Sequence, residues 1–402
     1  MSGNTRFTNA INFSLAYVLS AFGYEFLFFV MTVYIYELTG SAMNVGLFTA
    51  LTFVPKLFSP YYGSLADRYP RALLFFIACL CTAGSILAIN TNAALGWIYA
   101  IWFFISILSM VIMNVRTTIM TEVMPKDNYL RGNSVMLMSL NFAKLLAPVM
   151  GGVIAIQWDP QWVLYLASSV YVIAAILGLA TKLNPLPKDA KRSPASALSH
   201  MREGLRFLAA HSDLSYLGFV AFLWRLWTGL QLSLFVVYVD QFLGGAGTQY
   251  GIFMAMIGVG SLIGSGVGPW VARTFEPKKV VLRGLSLYYL MLIAVGLIPV
   301  FEIALAIITV AQAIFFATVV SIHSVRDNAT PVEYRGRVYG CITAIVTPPA
   351  LVSMLLGSYL AEPFGAANVI VGSAVLGFLS LFMVHAWFTN KTKHAQQAFE
   401  EI

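Results

Sequence analysis

Apolar residues in this chain do not alternate with polar ones at the period of a strand, nor do they form one face of a surface helix. They come in long runs, each about the length that crosses a bilayer as a helix. Twelve runs are expected, at roughly 11–36, 45–65, 72–89, 94–119, 135–156, 163–180, 214–239, 250–271, 280–300, 303–325, 338–360 and 368–388. The break that orients the others is Gly63-Ser-Leu-Ala-Asp67-Arg68-Tyr-Pro-Arg71, between the second and third runs. A short, Gly-initiated, charged connection between two spans is a tight turn at the membrane surface. Its arginines place it in the cytoplasm, because Lys and Arg concentrate in loops on that side.

The remaining breaks keep this alternation. The expected external turns, 37–44, 90–93, 157–161, 240–249, 301–302 and 361–367, contain no Lys or Arg. Arg68, Arg71, Lys126, Arg131, Lys188, Lys191, Arg192, Arg273, Lys278, Lys279, Arg335, Arg337, Lys391 and Lys393 fall on the other side. Both termini are then cytoplasmic and the number of spans even. The expected domains are an N-terminal bundle over 1–183, a linker over 184–212 and a C-terminal bundle over 213–402. Within the linker, Ser193-Pro194 is a helix-start pair, and Leu198, Met201, Leu205 and Leu208 recur at helical spacing opposite Arg202, Glu203 and Arg206. That pattern fits an amphipathic helix on the inner leaflet; a disordered tether is the other reading.

Composition agrees with a polytopic membrane protein: 59% of the 402 residues are hydrophobic and only 10% charged, against about 25% charged in soluble proteins. The net charge of +7 does not point to nucleic acid, because the basic residues flank spans on one side. Cys79, Cys81 and Cys341 all lie in apolar runs and read as packing residues. The polar start Met1–Thr8 leads into a run too long for a signal peptide, so no cleaved leader is expected. The sequence shows no metal-ligand cluster, nucleophile constellation or phosphate loop. Neither enzyme activity nor a cofactor is expected.

Chemistry inside the membrane is confined to a few charges, which are functional candidates because they are costly there. Glu25 is the single carboxylate deep in any run, in the first. Lys56 lies in the second between Pro55 and Pro60, and Lys144 in the fifth. Arg225 lies in the seventh between Trp224 and Trp227, and Arg116, His323 and Arg326 lie near the inner ends of the fourth and tenth. Glu25 and Lys56 sit at similar depths, so they can neutralise each other, or Glu25 can carry the coupling proton, or it can pair with Arg225. Deep cations outnumber deep anions. An anionic substrate would supply the missing charge, with Arg225 and its two Trp neighbours suited to a carboxylate on an apolar body.

The hairpin at Gly63, Asp67, Arg68 and Arg71 resembles the Gly-x-x-x-Asp-Arg-x-x-Arg signature of the major facilitator superfamily, with Pro70 in place of its usual Gly. The two halves also resemble each other: Arg131-Gly132 matches Arg335-Gly336 and Val33-Tyr34 matches Val237-Tyr238 at the same offset. The resemblance implies an all-α membrane protein with twelve transmembrane helices in two pseudo-symmetric six-helix bundles. Glu37-Leu38-Thr39-Gly40-Ser41, Asn114-Val115-Arg116 and Leu130-Arg131-Gly132-Asn133 are similar to the enterobactin and macrolide exporter branch. Ala147-Pro148-x-x-Gly151-Gly152 resembles the antiporter signature of drug–proton exchangers, with Ala143 and Ala147 replacing two of its glycines; an ordinary kinked packing helix is the other reading. The resemblance implies a cytoplasmic gate built from Gly63, Asp67, Arg68, Arg71, Arg116, Glu122 and Arg326. It also implies a secondary exporter in the bacterial inner membrane, acting by alternating access and exchanging protons for an amphiphilic anion such as a carboxylate siderophore or metallophore. A multidrug or macrolide pump and a lysophospholipid or glycolipid flippase are the alternatives. Expected partners are the small-molecule substrate, protons and the lipid bilayer, not nucleic acid, and the expected state is a monomer.

Overall fold

A computed structural model of the chain describes residues 3–58, 61–62, 65, 69–89, 94–123, 142–143, 146–147, 150–151, 154, 160–181, 194–245 and 247–400. Among these residues the regular structure is helical throughout. In chain order the helices are α1 (Gly3–Thr39), α2 (Ala42–Phe53) with a 3-10 turn over Val54–Phe58, α3 (Arg71–Leu87), α4 (Leu95–Val123) and α5 (Pro160–Leu179). They continue with α6 (Pro194–Ala210), α7 (Ser212–Leu232), α8 (Phe235–Gln241), α9 (Thr248–Thr274), α10 (Pro277–Leu297), α11 (Phe301–Ala329), α12 (Val332–Phe364) and α13 (Ala366–Glu400).

Eight of these helices, α1, α4, α5 and α9 to α13, are long and apolar enough to cross a membrane. Helices α2 and α3 are shorter apolar helices, and α7 joins the end of α6 at a bend of 111°. Every expected run except 135–156 coincides with a described helix; that run lies mostly outside the described residues. Many large side chains point outward into what would be lipid, among them Met383 at 73% exposure and Trp162 at 62%. Contiguous apolar exposure on this scale is foreign to a soluble surface and ordinary in a bilayer.

Two runs differ from the continuous spans expected. The second leaves α-geometry at Val54, because Pro55 lacks the N–H that would continue the helix and disfavours α-conformation in the residue before it. The seventh breaks between α7 and α8. There Leu234 N–H donates back to Gln231 O at 2.9 Å, a tightened turn. The buried Ser233 side chain turns away to bond Ser358 Oγ at 2.9 Å and Met354 O at 3.4 Å on α12. A serine hydroxyl that competes for backbone partners is a local helix-weakening device.

The chain packs as two compact units. The first comprises Met1–Gly40, Phe48–Ala197 and Gly245–Ala255, and the second Ser41–Leu47, Leu198–Gly244 and Met256–Ile402. The main division, between Ala197 and Leu198, falls within the linker expected over 184–212, but Ser41–Leu47 and Gly245–Ala255 cross it because they pack away from their sequence neighbours. Ser41 Oγ donates to Glu362 at 2.9 Å and Gly46 closes directly on the Ser358 side chain, which ties the start of α2 to the second unit. Tyr250 stacks on Phe29 with centroids 5.0 Å apart, which ties the start of α9 to the first. The turn from α1 to α2 needs Gly40, whose φ of +60° is in the left-handed region closed to most side chains.

Within each unit, small residues set the helix spacing, as expected where lipid competes equally for apolar side chains. In the first unit a Cβ on Gly151 would meet Phe29 Cδ1 of α1 at 2.6 Å. Phe13 of α1 and Phe75 of α3 meet edge-on at 5.3 Å. In the second unit α7 and α12 interlock reciprocally: Gly229 faces Ala350 O and Ser353, and Gly357 faces the backbone of Leu230.

Candidate functional site

In the first unit the site grows from the middle of α1. Glu25 is the central residue of the apolar window Ile11–Thr39. It lies fourteen residues before Thr39, and Lys56 lies fourteen residues after Ala42 across the Gly40 turn. At about 1.5 Å of rise per residue, both stand roughly 21 Å from that turn. Lys56 sits on the 3-10 turn made by Pro55, with its ammonium 3.6 Å from the centroid of the Phe53 ring. Around Glu25 the packing is aromatic. Tyr24 stacks on Trp102 of α4 at 5.5 Å, Phe48 of α2 on Trp102 at 4.5 Å, and Phe28 on Phe48 at 5.8 Å. Trp102 is fully buried and donates its indole N–H to Thr52 Oγ1 at 3.2 Å. On the opposite side Gly23 leaves room for the buried Tyr171 ring, whose edge a Cβ would meet at 3.0 Å. The Glu25 charge is within electrostatic reach of both Tyr24 and Tyr171.

In the second unit the site grows from α7. Arg225 is half-buried, and its guanidinium carbon lies 4.8 Å from the centroid of the neighbouring Trp224 ring. Trp224 packs on Phe315 of α11 at 4.8 Å, and Phe315 on Tyr288 of α10 at 4.8 Å. Gln312, buried one turn before Phe315, is within hydrogen-bonding reach of the Tyr288 hydroxyl. Trp227, one turn along α7, donates its indole N–H to Ser380 Oγ of α13 at 2.9 Å. Two polar groups here are left over. Among the described residues no carboxylate of this unit pairs with Arg225, and the buried Trp224 Nε1 has no hydrogen-bond partner. Buried donors are normally satisfied, so a cation and an indole N–H beside an aromatic wall form a surface suited to an acceptor-bearing, part-apolar ligand.

The Major Facilitator Superfamily model matches residues 13–324, more than three quarters of the chain. The chain belongs to the Major Facilitator Superfamily. It is 23% identical over 355 residues to the uncharacterized MFS-type transporter YfiS of Bacillus subtilis, covering 84% of this chain and 83% of that one. It is 24% identical over 365 residues to the enterobactin exporter EntS of Salmonella typhi, covering 86% and 82%. Among solved structures, a bacterial homolog of the human lysosomal transporter Spinster in an inward-facing, occupied conformation superposes with a TM-score of 0.79 at 16% identity, over 98% of both chains. The nucleoside transporter NupG superposes with a TM-score of 0.76 at 12% identity, over 96% of this chain and 99% of that one. Those structures share the fold. The protein is a multi-pass membrane transporter and not an enzyme.

Several of the positions singled out in the sequence lie outside the described residues: Gly63, Asp67, Arg68, Pro148 and Gly152 of the superfamily-like motifs, and the charge at Lys144. Glu122 lies in α4, and its side chain is likewise outside them. Of the remaining gate candidates, Arg71 opens α3. Arg116 of α4 stacks over Tyr17 of α1 with 5.0 Å from guanidinium carbon to centroid. Arg326, 14% exposed at its side chain, bonds its own neighbour Asp327 at 3.2 Å. Sequence reasoning missed Phe315, Tyr288, Gln312 and Tyr171. Gln312 carried a readable signal, as a lone amide in the apolar stretch of α11. The aromatic residues carried none, since any of the many aromatics in these spans could have faced the site.

Proposed function

We propose that this transporter is a proton-driven exporter of amphiphilic anions, a class that includes carboxylate siderophores and metallophores. The observation that carries the reading is Arg225, which among the described residues has no carboxylate partner in its own unit and lies against Trp224, itself packed on Phe315 and through it on Tyr288. A guanidinium binds a carboxylate through two parallel hydrogen bonds, and the aromatic wall suits the apolar body of the same molecule. Its relative EntS is named for export of enterobactin, which agrees with an export direction. Glu25, at the centre of the apolar stretch of α1 and within electrostatic reach of Tyr24 and Tyr171, is the coupling group in this reading. Proton binding at Glu25 and anion binding at Arg225 then alternate as the site is exposed to one side and the other. Lys56 and Lys144 are further candidate contacts for the anion in this reading. Arg71, Arg116, Glu122 and Arg326 act with Gly63, Asp67 and Arg68 as the inner gate, and both termini face the cytoplasm of a bacterial cell.

The test uses purified protein in liposomes with an imposed pH gradient. A carboxylate-bearing amphiphile should accumulate against its own gradient when protons run the other way, and collapsing the pH gradient should abolish accumulation. Accumulation that persists after the collapse would remove proton coupling.

A further inference from the structure

The second unit carries a groove that the transport reading does not use. It lies between α9 and α10 with α11 as its floor, and encloses about 460 Å³, within the range of small-molecule sites (about 300–1,000 Å³). Glycines create it. Gly264 of α9 closes on the backbone of Ala313, and Gly284 of α10 closes on Thr318, so both helices are drawn down onto α11. The floor between them is Ala313 and Ala317, too small to fill the space. The rims are apolar and open outward, with Ile263 51%, Val267 45% and Leu287 43% exposed.

One end of the groove is charged. Glu276, Lys279 and Arg283 line it where α9 gives way to α10. Lys279 is held by Glu276 at 2.7 Å, and the adjacent Lys278 by Asp213 at 2.8 Å. The hydrogen bond from Lys279, followed by its charge, keeps the Glu276 carboxyl below the usual carboxylate range, so it is ionised at neutral pH. Arg283, exposed and one turn further in, has no carboxylate partner among the described residues. The mouth therefore carries two cations against one anion, a net charge of +1. Leu287 lies eight residues beyond Lys279, a depth of about 12 Å, close to the roughly 15 Å that one leaflet contributes to a 30 Å hydrocarbon core. Trp270 and Phe275, 59% and 50% exposed and packed edge to face at 5.8 Å, sit at the same end of α9. Exposed aromatics at a span end mark the headgroup level.

We infer that this groove is a binding site for an anionic phospholipid of the leaflet flanking the α9–α10 turn, with the phosphate on Arg283 and Lys279 and one acyl chain lying between α9 and α10. Three independent features converge on that occupant. The apolar length matches a single chain. The net charge matches a monoanionic headgroup. The guanidinium, unpaired among the described residues, lies one turn beyond Lys279 on α10, where a lipid phosphate can meet it as the side chain reaches toward the interface. The inference stands whether or not the transported molecule is an anion.

The experiment is native mass spectrometry of the purified full chain, titrated with phosphatidylglycerol or with phosphatidylcholine bearing the same acyl chains. The wild type should hold the first lipid about fivefold more tightly, since a cation near the headgroup plane contributes about 1 kcal/mol toward an anionic lipid. Arg283→Gln should erase that preference, and Glu276→Gln should enlarge it by removing the competing carboxylate. Leu287→Trp, which fills the groove without touching the charges, should weaken both lipids. Inorganic phosphate, which cannot occupy the apolar part, should fail to displace phosphatidylglycerol. Equal retention of the two lipids by the wild type, an undiminished preference in Arg283→Gln, or displacement by phosphate alone would each overturn the inference. Arg283 and Glu276 are both exposed, so the folded fraction of these variants should match the wild type and the comparison stays readable.

Discussion

Replacing Arg225 by Ala separates the anion reading from a general affinity for amphiphiles. In the free protein the guanidinium contributes a cation–π contact with Trp224, worth about 0.5–2 kcal/mol, and it occupies a half-buried position with no carboxylate of its own unit paired to it among the described residues. Truncating one member of a buried ion pair costs about 3–5 kcal/mol because a charge is left behind. Arg225→Ala strands no such partner, so the folded protein should lose little stability. With an anionic ligand bound the account changes. Charge-assisted hydrogen bonds are worth about 1.5–3 kcal/mol each, so losing one lowers affinity about 10- to 150-fold. The methyl ester of the same ligand offers no charge and should lose less than about threefold. Arg225→Lys should recover only part of the acid's affinity, because a point charge lacks the planar fork. Trp224 lies against the guanidinium, so its fluorescence is a direct reporter of occupancy in detergent solution. Equal affinity of the wild type for acid and ester would refute the reasoning and favour an exporter of neutral amphiphiles. So would acid binding that Arg225→Ala leaves untouched.

Three further outcomes are expected. Glu25→Gln should abolish accumulation driven by a pH gradient in liposomes while substrate exchange without a gradient continues; wild-type uphill transport by this variant would place coupling elsewhere, with Asp67 and His323 the next candidates. Gly151→Leu should force a side chain into Phe29, at a cost of about 1–3 kcal/mol for overpacking, read as a lower midpoint in a fluorescence-detected thermal melt; an unchanged midpoint would mean that the helix carrying Gly151 can retreat from α1. Single cysteines at Asn92 and Gly245 should react with an impermeant thiol reagent from outside intact cells, and those at Tyr69 and Ser196 only after permeabilisation; labelling of Tyr69 and Asn92 from the same face would undo the assigned orientation.

Much of the molecule was legible from the order of its residues. Span positions follow from run length, because a helix must satisfy its own backbone in lipid and needs about 20 apolar residues to cross. The amphipathic pattern after Ser193 appears as α6, bent by 111° from α7. The sequence likewise exposed Arg225 and its flanking Trp224 and Trp227 as a charge out of place in an apolar run.

Only the tertiary structure decided which groups those charges meet. Phe315 and Tyr288 come from α11 and α10, far along the chain from Arg225, and hydropathy does not say which face of a uniformly apolar helix turns inward. The break at Ser233 depends on Ser358, 125 residues away, so local propensity could not reveal it. Ser41–Leu47 belongs to the second unit because Gly46 fits against Ser358 and Ser41 bonds Glu362. Nothing in the sequence marked Arg283; the close approach of Gly264 and Gly284 to α11 places a groove beside it. Burial along the chain is a one-dimensional signal set by composition. The pairing of small residues with backbone, and of cations with aromatic faces, is fixed by three-dimensional packing between helices distant in sequence.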